Sequence, residues 1–386
     1  MPFYPVYALL FVDSGMSGGQ ISVLFGLWSL TGFVLEVPSG ALADRIPRRH
    51  LLVASHAIRA AGFASWVLWP TFSGFALGFV LWGVSGAASS GTWEALLYDE
   101  LDRHGASDRY ARILGRAEAL TATGALAGTA LAGPLFPFGG YATVGWASVA
   151  VCAASACLAS RLPNGAPVPA DALPPTTAGE DEAGHADAPA AGAASGSGYL
   201  ATLRTGVRIA LRDRVVGRAV LAVVILSGAT AVEEYFALLA VDLTAPSVLP
   251  YLLLVPALGY AVGAELGGRI AGVAPRRLAV LVGAGAAALA AGALIRHPAG
   301  FVLLSVGFGA IGAGIVIAGA RLQDTLTGPR ATVTSVSAVG DEIVALIVYT
   351  AFGAASGSVS LPVLCALAML PVVALALRLP RWLPRT

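Results

Sequence analysis

Two pairs of adjacent carboxylates, Glu233-Glu234 and Asp341-Glu342, stand inside otherwise apolar stretches of the chain. An ionised side chain at the centre of a membrane-crossing helix costs about 2.5–3.5 kcal/mol on insertion scales, so its presence points to work that repays the cost. No Arg stands at matching depth in the C-terminal half. A carboxylate without a cation partner in a low-dielectric site binds a proton more readily than in water. Such a group can load and release protons, or attract a cationic substrate. Neighbouring residues on a helix diverge by about 100°, so at most one of each pair is expected to point straight into a cavity. The other would bond a hydroxyl on a neighbouring helix, and Tyr235 and Tyr349 are nearby in sequence.

A second group of charges lies nearer the chain's start. Glu36 precedes Asp44 by eight residues, and Arg59 follows Arg49 by ten. At 1.5 Å per residue these are about 12 and 15 Å from the intervening loop, so Glu36 and Arg59 are expected at similar depth as an ion pair. Glu94, Asp99 and Glu118 are alternative partners for Arg59. The structural role is favoured over a proton relay, because an Arg does not release its proton. Asp13 is read as either an outer-loop residue or a functional one.

The elements that hold these residues follow from composition. Of 386 residues, 57% are hydrophobic and 12% charged, against about 25% charged in an ordinary soluble domain. Mean hydropathy is +0.78. Too few polar groups remain to cover a soluble globule, which excludes a cytosolic enzyme, a disulfide scaffold and a disordered chain. A net charge of +1 gives no basic character for nucleic acid. Apolar runs fall at 1–15, 20–42, 51–69, 72–98, 113–136, 140–161, 216–241, 247–271, 277–295, 299–320, 331–356 and 360–379. A membrane helix needs about 20 such residues, and β-barrel strands would alternate over about ten. The expected fold is therefore an all-α polytopic membrane protein of twelve spans. The first run is interrupted by Asp13. A start codon inside a longer gene is the favoured explanation, a short first helix the other.

Every basic side chain apart from His is Arg, and the Arg clusters follow alternate spans: Arg45, Arg48 and Arg49 after span two, Arg103, Arg109 and Arg112 after span four, Arg269, Arg276 and Arg277 after span eight. Arg321 and Arg330 follow span ten. Only Arg296 breaks the pattern. The positive-inside rule then places both termini in the cytoplasm of a cell (plasma) membrane protein. Residues 162–198 are rich in Pro, Ala and Gly with an acidic patch, and read as a disordered cytoplasmic linker. Residues 199–214 follow as an amphipathic or juxtamembrane helix. The linker divides the chain into bundles of six spans, 1–161 and 215–386. The halves match where Pro47-Arg48-Arg49 and Pro275-Arg276-Arg277 restart a span, as in transporters built by duplication.

Twelve spans, a central linker and the loop Gly40-x-Leu42-Ala43-Asp44-Arg45-x-x-Arg48-Arg49 resemble the major facilitator superfamily over essentially the whole chain. Pro47 replaces the family's usual second Gly. The resemblance implies two six-helix pseudo-repeats rocking around a central site. It also implies a gate in which Asp44 meets the N-terminus of span eleven near Thr332–Ser335, braced by Arg45, Arg48 and Arg49. The gate reading has a physical basis, since a helix N-terminus carries about half a positive charge. In span five, Gly128, Gly133 and Pro134, after Gly124 and before Gly139-Gly140, are similar to the Gly-Pro motif of the family's antiporters, with wider spacing. Packing alone also explains such glycines. The Arg usual in span four of its drug–proton antiporters is missing from Trp82–Glu94.

What the resemblance implies about function is proton-coupled export of a small organic molecule. A proton symporter or facilitator for nutrient uptake is the transport alternative, and a sensor retaining the fold is one of another class. Trp93, Tyr235, Phe236 and Tyr260 are expected cavity walls. Cys152, Cys157 and Cys365 read as apolar fillers, the five His form no cluster, and no nucleotide or metal motif is present. No enzyme, cofactor or metal is expected, and the partners are a small molecule, protons and lipid around a monomer.

Overall fold

A computed structural model describes residues 1–43, 46–163, 208, 213–326 and 330–383. It is helical, with no strand among the described residues. The helices are α1 (Tyr7–Asp13), α2 (Gly18–Ala43), α3 (Arg48–Leu68), α4 (Phe72–Ser89), α5 (Thr92–Arg103), α6 (Tyr110–Leu135), α7 (Gly140–Ala159), α8 (Arg214–Gly228), α9 (Phe236–Ala240), α10 (Leu249–Arg269), α11 (Pro275–Leu294), α12 (Gly300–Thr325), α13 (Arg330–Ala355), α14 (Leu361–Leu367) and α15 (Leu370–Trp382). Eleven helical segments among the described residues are long and apolar enough to cross a membrane. The twelfth expected run makes only α1, whose seven residues rise about 10 Å. Residues 164–198 of the linker and most of 199–214 lie outside the described residues.

Local chemistry sets the helix boundaries. Asp213 opens α8 by accepting hydrogen bonds from the amides of Val215 and Val216 at 2.7 and 3.3 Å, satisfying donors that have no partner within the helix. Pro275 begins α11, where its missing N–H costs nothing. Span four breaks at Gly91, which takes a left-handed φ of +67° between α4 and α5. Span seven breaks after Gly228: α8 and α9 are joined by a 3₁₀ stretch, Ala229–Tyr235.

Packing repeats between the halves. In the first half α3 packs on α4 and α7, and α2 on α4; in the second α11 packs on α12 and α15, and α10 on α12. The cross-half contacts obey the same exchange, α2 with α13 and α6 with α10. Small residues allow these approaches. A Cβ built on Gly259, Gly263 or Gly267 of α10 would fall 2.2, 1.9 or 2.8 Å from the nearest atom of α12. The first half is held by rings: Tyr7, Phe11, Trp66, Phe79 and Trp82 interlock at centroid distances of 4.9–6.3 Å. Arg321, expected as a loop charge, is buried at 5% exposure. It donates to the carbonyls of Leu383, at 3.0 Å, and Val273, tying the ends of three spans together.

Candidate functional site

Between the halves lies a cavity of about 810 Å³. One wall is α2 from Trp28 to Glu36 and α4 from Gly83 with Ser90; the other is Ser227–Glu234 and Ala338–Tyr349 of α13. At one end the walls meet. A Cβ on Gly18 or Gly19 would lie 3.3 Å from Ser356, and one on Gly353 would lie 3.2 Å from Ser22. Ser22 and Tyr235 share a hydroxyl hydrogen bond of 2.9 Å, and Tyr235 packs on Phe352 at 4.2 Å. Away from that end the lining runs to Glu36, Ser90 and Ala338, towards the Arg-bearing ends of α2, α4 and α13, and residues 118–125 in the middle of α6 are exposed on every face. The cavity therefore opens towards the Arg-bearing end.

All four coupling candidates line this cavity, and Glu36 stands with them nearer the open end. Among the described residues no Arg, Lys or His lines it. Both members of each pair border the cavity, and one of each, Glu234 and Glu342, accepts from hydroxyls of another segment. Their oxygens are differently occupied. Glu234 accepts from the hydroxyls of Tyr4, at 3.0 Å, and Tyr7. Glu342 accepts from Ser29 at 2.6 Å. Asp341 Oδ1 is buried without a partner among the described residues. Glu233 has no hydrogen bond among the described residues. Tyr4, Tyr7 and Ser29 were not singled out from the sequence; the i, i+3 spacing of the two tyrosines in the first run was the signal. Tyr7→Phe leaves a buried carboxylate oxygen short of a donor, which costs about 1–3 kcal/mol. Its thermal midpoint in detergent is expected below wild type, while exposed Tyr98→Phe leaves the midpoint unchanged.

The other expected network does not assemble. Arg59 Nε donates to Ser85 Oγ at 3.0 Å, and Glu36 accepts from Ser90 at 3.0 Å. The helical rise set the two at equal depth, but local hydroxyls take both. Glu94 has a buried, unpartnered oxygen, and Glu118 is exposed on the open stretch of α6. In the gate motif, Gly40 lies in the last turn of α2; Asp44 and Arg45, and so the expected contact of Asp44, lie outside the described residues. Arg48 pairs with Asp99 of α5, and Arg49 donates to the carbonyl of Leu162 at 3.4 Å. Both bonds stay within the first half.

In span five, a Cβ on Gly128 would fall 2.6 Å from Met1, and one on Gly133 2.5 Å from the ring of Tyr251. Pro134 is accommodated inside α6. Asp13 accepts from Tyr141 at the closed end. None of the four expected aromatic walls lines the main cavity: Trp93 joins the Leu52–Leu96 cluster, Tyr235 is 2% exposed, and Phe236 and Tyr260 pack on Phe308. Trp28, Phe33 and Tyr349 take that place.

Known proteins resemble the chain in parts and in whole. A segment of 74 residues, 17% of this chain and 18% of the relative, is 36% identical to "Multidrug resistance protein MdtH" of Cronobacter sakazakii. Over 162 residues, 42% of this chain and 38% of the relative, it is 30% identical to an uncharacterised MFS-type transporter of Mycobacterium tuberculosis. These matches span well under two thirds of the relatives' lengths. Among solved structures, the POT family transporter PepTSo superposes with a TM-score of 0.68 at 12% identity, covering 99% of this chain and 94% of that one. The nucleoside transporter NupG gives 0.66 at 12% identity, covering 98% and 93%. At such identity these show the fold alone. The family profile described as "Major Facilitator Superfamily" matches residues 1–349. With its helical repeat and inter-half cavity, the chain belongs to the major facilitator superfamily and has the fold of a multi-pass membrane protein.

Proposed function

We propose that the protein exports small organic cations across the plasma membrane in exchange for protons. The observation that carries this reading is the cavity lining: Glu36, Glu233, Glu234, Asp341 and Glu342, with no cationic side chain opposite them among the described residues. In a low-dielectric enclosure an organic cation supplies the missing countercharge, and Trp28, Phe33 and Tyr349 offer ring faces and apolar surface to its body. The cavity volume of about 810 Å³ falls in the range of drug-sized sites, about 300–1,000 Å³. The name of the multidrug-resistance relative points the same way.

The cycle follows from charge balance. In the conformation described here a cation enters from the Arg-bearing side and neutralises an ionised carboxylate. The halves rock about the α2–α13 and α6–α10 contacts, as bundles do around a central site in transporters of this kind. A proton from the other side then neutralises a cavity carboxylate, and the cation is released; the return movement delivers the proton inside. Both termini are cytoplasmic in this reading.

The test is accumulation of a fluorescent lipophilic cation in cells lacking their own pumps. Cells producing the protein are expected to hold several-fold less dye, and an uncoupler is expected to abolish the difference. Equal accumulation with the protein present in the membrane would sink the reading; a difference that survives the uncoupler would leave transport without proton drive.

A further inference from the structure

Glu233 borders two separate spaces. One is the main cavity. The other is a pocket of about 50 Å³ walled by Tyr4, Pro5 and Tyr7 before and within α1, Thr129 of α6, Phe236 and Ala237 of α9, and Leu253, Pro256 and Ala257 of α10. Glu234 also touches both, but its oxygens are held by Tyr4 and Tyr7. Glu233 has no such donor among the described residues. Asp341 and Glu342 line the main cavity and not the small pocket. The midplane carboxylates therefore divide by surroundings: one pair meets a space that takes an organic molecule, while Glu233 and Glu234 meet a second space far too small for one.

That pocket is large enough for water, which needs only about 10–15 Å³ of probe-occupied space and two or more polar partners. The hydroxyls of Tyr4, Tyr7 and Thr129 and the Glu233 carboxylate supply those partners. The remaining walls are apolar and would exclude an ion that carries its hydration shell.

Resting on the exporter reading above, we infer that the small pocket is the proton's own station: Glu233 exchanges its proton there with water, while Asp341 holds the substrate cation in the main cavity. The step is a plain proton transfer. A hydronium ion from the outer solution gives H⁺ to a Glu233 oxygen in the pocket and is left as water, and Glu233 later passes that proton to a water in the main cavity, which becomes hydronium. The other titratable groups facing Glu233 are Glu234 on its own segment, Tyr4 and Tyr7 from the α1 side, Tyr260 of α10, and Asp341, Glu342 and Tyr349 of α13 across the cavity with Glu36 of α2. None of them is a cation, so no side chain in this set competes with the proton for Glu233.

The inference separates two properties that a single shared site would lose together. The probe is tetraphenylphosphonium, with purified protein for binding and proteoliposomes for transport. Ala257→Val fills the pocket from a residue that does not line the main cavity. It is expected to keep the affinity for the probe, and probe-for-probe exchange, within about twofold of wild type. Transport driven by a pH gradient is expected to fall by about tenfold or more, a loss of roughly 1.4 kcal/mol in the proton-coupled step. Thr129→Val, which removes a hydroxyl at nearly constant volume, is expected to slow the same step alone, and so guards against misfolding of the first variant. Glu233→Gln is expected to abolish the proton release that accompanies probe binding. Wild-type pH-driven rates in folded Ala257→Val and Thr129→Val, or equal losses of exchange and driven transport, would overturn the inference. If wild-type protein binds no probe, it is the cation reading that has failed.

Discussion

Asp341→Asn is expected to weaken binding of a lipophilic cation by at least about thirtyfold and to abolish its efflux, with folded protein still reaching the membrane. Asp341 Oδ1 is buried in the cavity wall with no hydrogen bond of its own, so the carboxylate has no internal partner to lose. Removing one member of a buried charge pair costs about 2–5 kcal/mol, and about 1.4 kcal/mol is a factor of ten. Asn is nearly isosteric, so packing is preserved while the charge disappears. Glu342→Gln should do less, because Ser29 already occupies one of its oxygens. Titrating a fluorescent cation into purified variants decides it. Affinities for Asp341→Asn and wild type within a few-fold of each other would remove Asp341 from the site.

The largest structural effect is expected at Gly263. A Cβ there would fall 1.9 Å from the carbonyl oxygen of Gly309 and 2.4 and 2.6 Å from its carbonyl carbon and Cα. These are backbone atoms, so no rotamer change makes room. Gly263→Val must push α10 and α12 apart, breaking the neighbouring contacts of Gly259 and Gly267 with them. The cost is expected above the about 1–3 kcal/mol of ordinary overpacking. The variant should yield little monodisperse protein on size exclusion in detergent. Gly268→Val is the control, since a Cβ at Gly268 meets nothing within 4 Å. Equal yields of the two would show that this helix crossing does not hold the fold.

How much of this was legible beforehand differs by level. The spans were legible because a membrane requires about 20 apolar residues in succession, and that signal is one-dimensional. Glu233, Glu234, Asp341 and Glu342 stood out for the same reason, as charges where charges are costly. The ion pair expected of Glu36 and Arg59 failed because helical rise gives depth but not azimuth; Ser90 and Ser85 lie at the right angles and the opposite charges do not. The break in span seven was hidden, since Ala229–Tyr235 contains neither Gly nor Pro. Tyr4 and Tyr7 were hidden as well: their partner, Glu234, lies more than 200 residues away along the chain, and tyrosines near a membrane segment usually read as interfacial anchors.

The 3₁₀ stretch Ala229–Tyr235 also fixes a length and a twist. Its seven residues rise about 2.0 Å each instead of 1.5 Å and turn about 120° each instead of 100°. Rewound as α-helix, the same segment would be about 3.5 Å shorter and turned back by about 140°. Glu233 and Glu234 would then face other helices, and Tyr235, at the segment's end, would be drawn from Ser22 and Phe352. The direction in which the carboxylates point and the seal at the closed end are thus two readings of one winding number, and neither can change while the other stands still.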